Sequence, residues 1–193
     1  MNKRVRRLMR ESCLKNKKMI IKTKRLILRS WKKGDEKELI ENISNPNVSK
    51  FLSEVPCPYK MKDAKEWLKI SKEKNVFAFA IILESEKQIV GGIGLHDTNK
   101  FKGISELGYW LGEKYHRQGI MSEASRAVLD FAFKKLKLRR VYAYAYIKNE
   151  ASNSLLKKLG FKYEGMMRKH ARAKSTGKIH DCNVYGLLKE EWK

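Results

Sequence analysis

The residues of this chain best suited to chemistry run unbroken over positions 108–124, GYWLGEKYHRQGIMSEA. A strand-like stretch ending at Leu111 gives way to a short polar loop containing Gly119, and the loop runs into a long helical pattern. A helix start leaves several backbone N–H groups unpaired and carries the positive end of the helix dipole. A glycine there lets an anion approach the backbone closely, as at many phosphate sites. Arg117 adds a charge suited to phosphate oxygens. The segment has neither the GK[ST] of a Walker loop nor the GxGxxG dinucleotide fingerprint, which excludes nucleoside triphosphate and NAD readings. Beside the phosphate reading stands a plainer one, an ordinary strand–turn–helix connection with a glycine in it.

Other reactive side chains are scattered. His96, His116, His170 and His180 show no HxxxH spacing and no His/Cys cluster, so no metal site is expected. Cys13, Cys57 and Cys182 are odd in number and widely spaced, without a disulfide framework or a CxxC zinc pattern, which suits a reducing cytoplasm. Tyr142, Tyr144 and Tyr146 alternate on one strand, a packed face rather than an RNA-stacking platform.

The elements that must position these groups are those of a mixed α/β domain. Residues 25–31, 76–83, 89–95, 104–111, 141–147, 161–168 and 179–187 read as strands, and residues 76–83 and 89–95 are apolar on consecutive positions, as in strands covered on both faces. Helices are expected after Gly34-Asp35 with Leu39, Ile40 and Ile43 inward, ended by Asn45-Pro46-Asn47, and over residues 62–71. The strongest helix covers 122–136, with Ala124, Val128, Phe131, Ala132 and Leu136 at helical spacing. A shorter one covers 151–159, with Asn149 as N-cap and Gly160 as its left-handed stop.

Composition bounds the whole. The chain has 193 residues, 42% of them hydrophobic, enough for one substantial core burying roughly 70% of the unfolded surface. No apolar run approaches the ~20 residues of a membrane span, and the basic start is not followed by the apolar stretch of a secretory signal. The formal net charge is +23, which points to an anionic partner without identifying it. Residues 1–18 carry eight basic side chains and one acid, a net +7 that leaves +16 for residues 19–193. With Val5, Leu8, Met9 and Ser12 near one helical face, this extension reads as a nucleic-acid or ribosome-binding arm, a solvated tail, or sequence upstream of a start at Met19. The expected organisation is therefore an extension over 1–18 and a single domain over 19–193.

The order of several signatures resembles the GCN5-related N-acetyltransferase (GNAT) superfamily, in particular its RimJ/RimL-like branch of ribosomal-protein N-terminal acetyltransferases. They are TKRLILR, IVGGIGLHD, ELGYWLGEKYHRQGIMSEA, the Arg139-Arg140-Val141 strand start, NEASNSLLKKLGFKYEG and HDCNVYGLLKEEW, from about Thr23 to Trp192. The resemblance implies a twisted, mostly antiparallel sheet of about seven strands with helices on both faces, whose two central parallel strands splay apart in a V to admit acetyl-CoA. The family's Q/R-x-x-G-x-G/A loop corresponds to His116-Arg117-Gln118-Gly119-Ile120-Met121, with His116 in place of Gln/Arg and Met121 in place of the last small residue. Cofactor contacts are expected from Leu111, His116, Arg117, Gln118, Gly119, Ile120, Met121, Ser122 and Asn149.

Acetyl transfer needs an amine held against a thioester, a base for the amine proton and a partner for the leaving thiolate. The resemblance places Glu106 where many relatives carry the base; the alternative is a strand Glu in an ion pair. Ser152, in Asn149-Glu-Ala-Ser152, corresponds to a thiolate partner; equally, Asn149 caps a helix and Ser152 lies in its first turn. His180-Asp181 matches a position near the acceptor groove, where a structural His is the plainer reading. For the acceptor, the charge favours a protein α-amine, with a ribosomal protein fitting best, over cationic polyamines and aminoglycosides. A non-catalytic ribosome- or nucleic-acid-binding module on the same scaffold is the alternative from another class. A cytoplasmic monomer or homodimer with no membrane association, possible ribosome contact and no metal completes the expectation.

Overall fold

The computed structural model describes residues 19–99 and 101–193, and the basic extension over 1–18 lies outside them. Eight strands form one sheet in the order β1-β2-β3-β4-β5-β6-β8-β7. They are β1 (Ile20–Lys22), β2 (Leu26–Ser30), β3 (Phe77–Leu83), β4 (Gln88–Asn99), β5 (Ile104–Leu111), β6 (Arg140–Tyr146), β7 (Lys162–Arg172) and β8 (Ile179–Leu188). Every neighbouring pair is antiparallel except β5 and β6. The mostly antiparallel α/β sheet expected from the sequence is present, with one strand more because Ile20–Lys22 adds a short edge.

Helices cover both faces. One side carries α1 (Glu36–Ile43) and α3 (Met61–Ile70), packed over Trp31, Ala78, Ala80, Ile82 and Ile89. The other carries α4 (Ile120–Asp130) and α5 (Glu150–Lys158), packed over Leu28, Phe77, Phe79, Ile81, Leu95 and Leu107. Alternate side chains of β3 thus enter two cores, and all seven of its residues are buried. That is the physical reason its sequence is apolar without alternation.

Local chemistry sets the helix ends. The carboxylate of Asp35 does not cap α1; Arg29 holds it in a two-pronged pair at 2.6 and 2.8 Å, and the Lys32 N–H donates to it at 2.9 Å. Asn45-Pro46-Asn47 follows the end of α1 and also opens a further helix, α2 (Pro46–Ser49), because proline suits the first helical position and Asn45 accepts from the Asn47 N–H. The helix expected over 122–136 starts two residues earlier and becomes a π-helical turn at Phe131–Lys135. Among the described residues no helix is long and apolar enough to cross a membrane.

The sheet divides at its centre. Parallel pairing of β5 with β6 covers only Ile104–Glu106 against Arg140–Tyr142. Beyond it β5 stays paired with β4 as far as Leu111, and β6 with β8 as far as Tyr146. The two halves therefore part after Glu106 and Tyr142, which makes the V-shaped opening expected between the parallel strands.

Candidate active site

The loop from β5 to α4 borders this opening. Arg117 and Gly119 both lie in the left-handed region, at φ 59° and 75°. Gly119 is the residue before α4 and supplies no side-chain cap, and the first helical bond runs from the Glu123 N–H to the Gly119 carbonyl. The N–H groups of Ile120, Met121 and Ser122 precede that bond, so they have no carbonyl within the helix to donate to. Such a start, with the guanidinium of Arg117 exposed beside it, fits an anionic phosphate.

The remaining loop side chains hold the loop's shape. His116 Nε2 lies 2.9 Å from the Leu111 carbonyl oxygen, and Gln118 Nε2 donates to the Lys114 carbonyl at 2.9 Å. Ile120 and Met121 turn into the core at 1% and 9% exposure. Met121 therefore does not crowd the anion side, and what these two residues offer a ligand is backbone N–H.

A residue that local sequence patterns missed secures the helix start. Arg25, in the turn between β1 and β2, donates from Nη1 to the Gln118 carbonyl at 3.0 Å and from Nε to Glu123 Oε2 at 2.8 Å. The Thr23 hydroxyl and the Arg25 N–H also donate to Glu123 Oε1, at 2.6 and 2.9 Å. Burial works to raise the Glu123 pKa, but these hydrogen bonds outweigh it and hold the carboxyl below its ordinary range. Nη2 of Arg25 is the nearest atom to where a Cβ on Gly119 would sit, at 3.5 Å. No local signal could have linked Arg25 to Glu123 across 98 positions of chain.

Glu106 lies on the α1–α3 side of β5, where the parallel pairing ends. His96 of β4 and Tyr142 of β6 are its cross-strand neighbours. Among the described residues its carboxylate makes no ion pair or hydrogen bond. Burial, reinforced by the charge of Asp97, pushes its pKa up to about 7. Rings line this face of the sheet: His96, beside Glu106, lies 6.0 Å from Trp67, and Trp31 stacks at 6.5 Å on Trp110, four positions along β5 from Glu106. Burial lowers the pKa of His96, so this neighbour is a neutral ring at neutral pH. Tyr144 meets His170 at 5.1 Å and Tyr146 stacks on His180 at 4.4 Å further along the same face. His180 Nε2 is buried without a hydrogen-bond partner among the described residues.

Strand alternation puts Tyr109 on the opposite side of β5 from Glu106. Asn149 caps α5 by accepting from the Ser152 N–H at 3.2 Å, and Ser152 Oγ lies 2.8 Å from the Tyr109 hydroxyl. Glu106 and Ser152 thus border the same opening from its two faces. Among the described residues no group of three His, Cys, Asp or Glu side chains is placed to hold a metal ion.

The comparisons agree with this geometry. The acetyltransferase (GNAT) domain family matches residues 25–162. The chain is 31% identical to the "Uncharacterized N-acetyltransferase YnaD" of Bacillus subtilis (strain 168) over 90% of this chain and 99% of that one. It is 29% identical to the "[Ribosomal protein uS5]-alanine N-acetyltransferase" of Escherichia coli (strain K12), over 63% of this chain and 62% of that one. The crystal structure of a GNAT-family acetyltransferase from Bacillus anthracis superposes with a TM-score of 0.78 at 29% identity, covering 90% of this chain and all of that one. A sheet split between its parallel strands, an uncapped helix start beside the split and a family match over most of the chain have one reading in common: this protein belongs to the GNAT family and is an acetyl-CoA-dependent N-acetyltransferase.

Proposed function

We propose that the chain acetylates the N-terminal α-amine of a protein, a ribosomal protein being the first acceptor to test. The observation that carries this reading is Glu106, a carboxyl with a pKa of about 7 at the opening of the sheet. An α-amine has a pKa of ~7.7–8.0, within about a unit of that base, so proton transfer between them is nearly balanced. A lysine side chain at ~10.4 is held as ammonium far more firmly.

Acetyl-CoA supplies the activated acetyl thioester. The N–H groups of Ile120, Met121 and Ser122, with Arg117 and Arg25 beside them, would hold its phosphates. His116 and Gln118 would keep the loop shaped, Leu111 would face the acetyl end with its backbone, and Asn149 would contact the arm of the cofactor. Glu106 would take the amine proton, directly or through one water, from the aromatic face. Ser152 would donate a hydrogen bond to the departing sulfur from the other. The catalytic domain would span 19–193, with the basic 1–18 extension favouring ribosomal RNA near the acceptor. A cytoplasmic monomer or homodimer is the corresponding state.

One observation favours a second acceptor class. Asp97 and Glu106 form a local acidic pair in an otherwise basic chain, which would attract a small cationic amine. Mass spectrometry of peptides and small amines after incubation with acetyl-CoA and a cell extract separates the two. Acetylated protein N-termini are expected; acetylated polyamines without acetylated N-termini would replace the first reading by the second.

A further inference from the structure

Tyr109 stands three positions beyond the last residue of β5 that pairs with β6. Its hydroxyl meets Ser152 at the third position of α5, linking one half of the divided sheet to the helix carried by the other. The far side of that link is firmly held. The neighbouring side chain, Asn153, donates to the carbonyls of Tyr146 and Asn149 at 3.0 and 2.7 Å and accepts from Asn183 Nδ2 and the Tyr185 hydroxyl, both at 2.8 Å. All the polar capacity of a buried amide goes into fixing the start of α5 on β6 and β8. Ser152 Oγ has Tyr109 as its hydrogen-bond partner among the described residues.

We propose that Tyr109 is a positioning residue: by donating its O–H to Ser152 Oγ it leaves the Ser152 hydrogen aimed into the opening, at the sulfur that departs during acetyl transfer. This rests on the acetyl-transfer reading and adds a residue to it. Either hydroxyl could donate in this pair, and the chemistry decides the direction. A phenol is the more acidic hydroxyl and the better donor, and an aliphatic oxygen is the better acceptor. Burial pushes the Tyr109 phenol up to about 12, so it keeps its hydrogen throughout the working pH range. A phenolate would accept from Ser152 instead and turn the serine hydrogen away from the sulfur.

Neither hydroxyl serves as a net proton source. A thiol has a pKa of ~8.5, well below that of the buried phenol, so handing a proton to the thiolate would be uphill. As the N–C bond forms and the C–S bond breaks, the electron pair leaves on sulfur. The proton lost by the amine balances the one the thiolate later gains. The hydroxyl pair lowers the energy of the developing charge by hydrogen bonding alone.

The test uses the full chain with Tyr109→Phe, Ser152→Ala and the double variant. Acetyl-CoA binding is followed by calorimetry, turnover is measured on an acceptor from the mass-spectrometric screen, and affinities for CoA and desulfo-CoA are compared. Tyr109→Phe is expected to bind acetyl-CoA within about threefold of the unaltered chain and to lose about tenfold in kcat, one hydrogen bond's worth. The double variant should be no slower than Ser152→Ala, and both single variants should lose the same preference for CoA over desulfo-CoA. Independent, multiplying losses, or an unchanged preference in Tyr109→Phe, would overturn the proposal. An unaltered chain that binds no acetyl-CoA would instead sink the acetyl-transfer reading itself. Should Tyr109→Phe not fold, 3,5-difluorotyrosine at position 109 keeps the shape and makes the phenol much more acidic. Its turnover should then fall as pH rises where that of the unaltered chain does not, and a flat profile would count against the proposal.

Discussion

The two sides of the opening work by different physics. At the start of α4 the groups on offer to a ligand would be backbone N–H, set by the left-handed turn at Gly119 with exposed Arg25 and Arg117 beside them. Around Glu106 they are side chains, withdrawn from water among indole, imidazole and phenol rings. The first arrangement binds charge with dipoles already aligned, at little cost when the ligand arrives. The second makes charge expensive, and that expense brings an ordinary carboxyl into the range of an amine's proton. On the proposed assignment, binding and chemistry would fall in opposite dielectric regimes, one at the start of α4 and the other on β5.

Substitutions that exchange the two regimes should separate the functions. The largest effect expected is from Glu106→Gln, which should lower kcat/KM by on the order of 10²–10³ and leave acetyl-CoA affinity unchanged. In the unaltered enzyme kcat/KM should rise with pH through about 7 as Glu106 ionises, and the variant should lack that limb. Stability should run the other way. A folded pKa raised from the usual ~4.3 means that the folded state holds the proton more tightly. The resulting stability is complete below pH ~4.3 and lost as pH rises through about 7, on the order of 3–4 kcal/mol in all. Chemical denaturation at pH 5 and pH 8 should find this slope in the unaltered chain and not in Glu106→Gln. An unchanged rate would return Glu106 to a structural role.

Gly119→Glu addresses the other side. It forces a side chain into a left-handed turn and sets a negative charge at the helix start, so acetyl-CoA affinity should fall on the order of 100-fold by calorimetry. Smaller, and confined to binding, is Arg25→Gln, where KM for acetyl-CoA should rise about tenfold while kcat stays within twofold. A loss of kcat instead would place Arg25 in the chemistry. The smallest effect is expected from His96→Asn. Because His96 is already neutral beside Glu106, the pH limb should move by less than about half a unit. A larger shift would show that the wall contributes charge as well as dryness.

Legibility in sequence divides along the same line. The strand–loop–helix start around Gly119 was readable because its parts are contiguous: strand, loop, Gly119 and helix follow one another within 17 residues, 108–124. The cap at Asn149 and the stop at Gly160 were readable for the same reason. The start of α4 at Ile120 was not, because Ile120 and Met121 look like loop residues until the core beneath them is known. His116 and Met121 stood out as departures from a family pattern, and the structure gives each a local task, one closing the loop and the other packing the core. Glu106 could be singled out as a position, but whether it was paired or solitary depended on what surrounded it.

What the sequence determined by itself was most of the elements and the strand–loop–helix order around Gly119, since periodicity, caps and turns act between residues a few positions apart. Only the tertiary structure decided that Arg25 would brace Glu123, that Tyr109 would meet Ser152 and that Glu106 would be half-withdrawn from water beside His96 and Tyr142. Those relations join segments 43 to 98 positions apart or arise from burial. The positions of Tyr109 and Glu106 follow from where the pairing of β5 with β6 stops, a property of the assembled sheet that no local stretch of chain encodes.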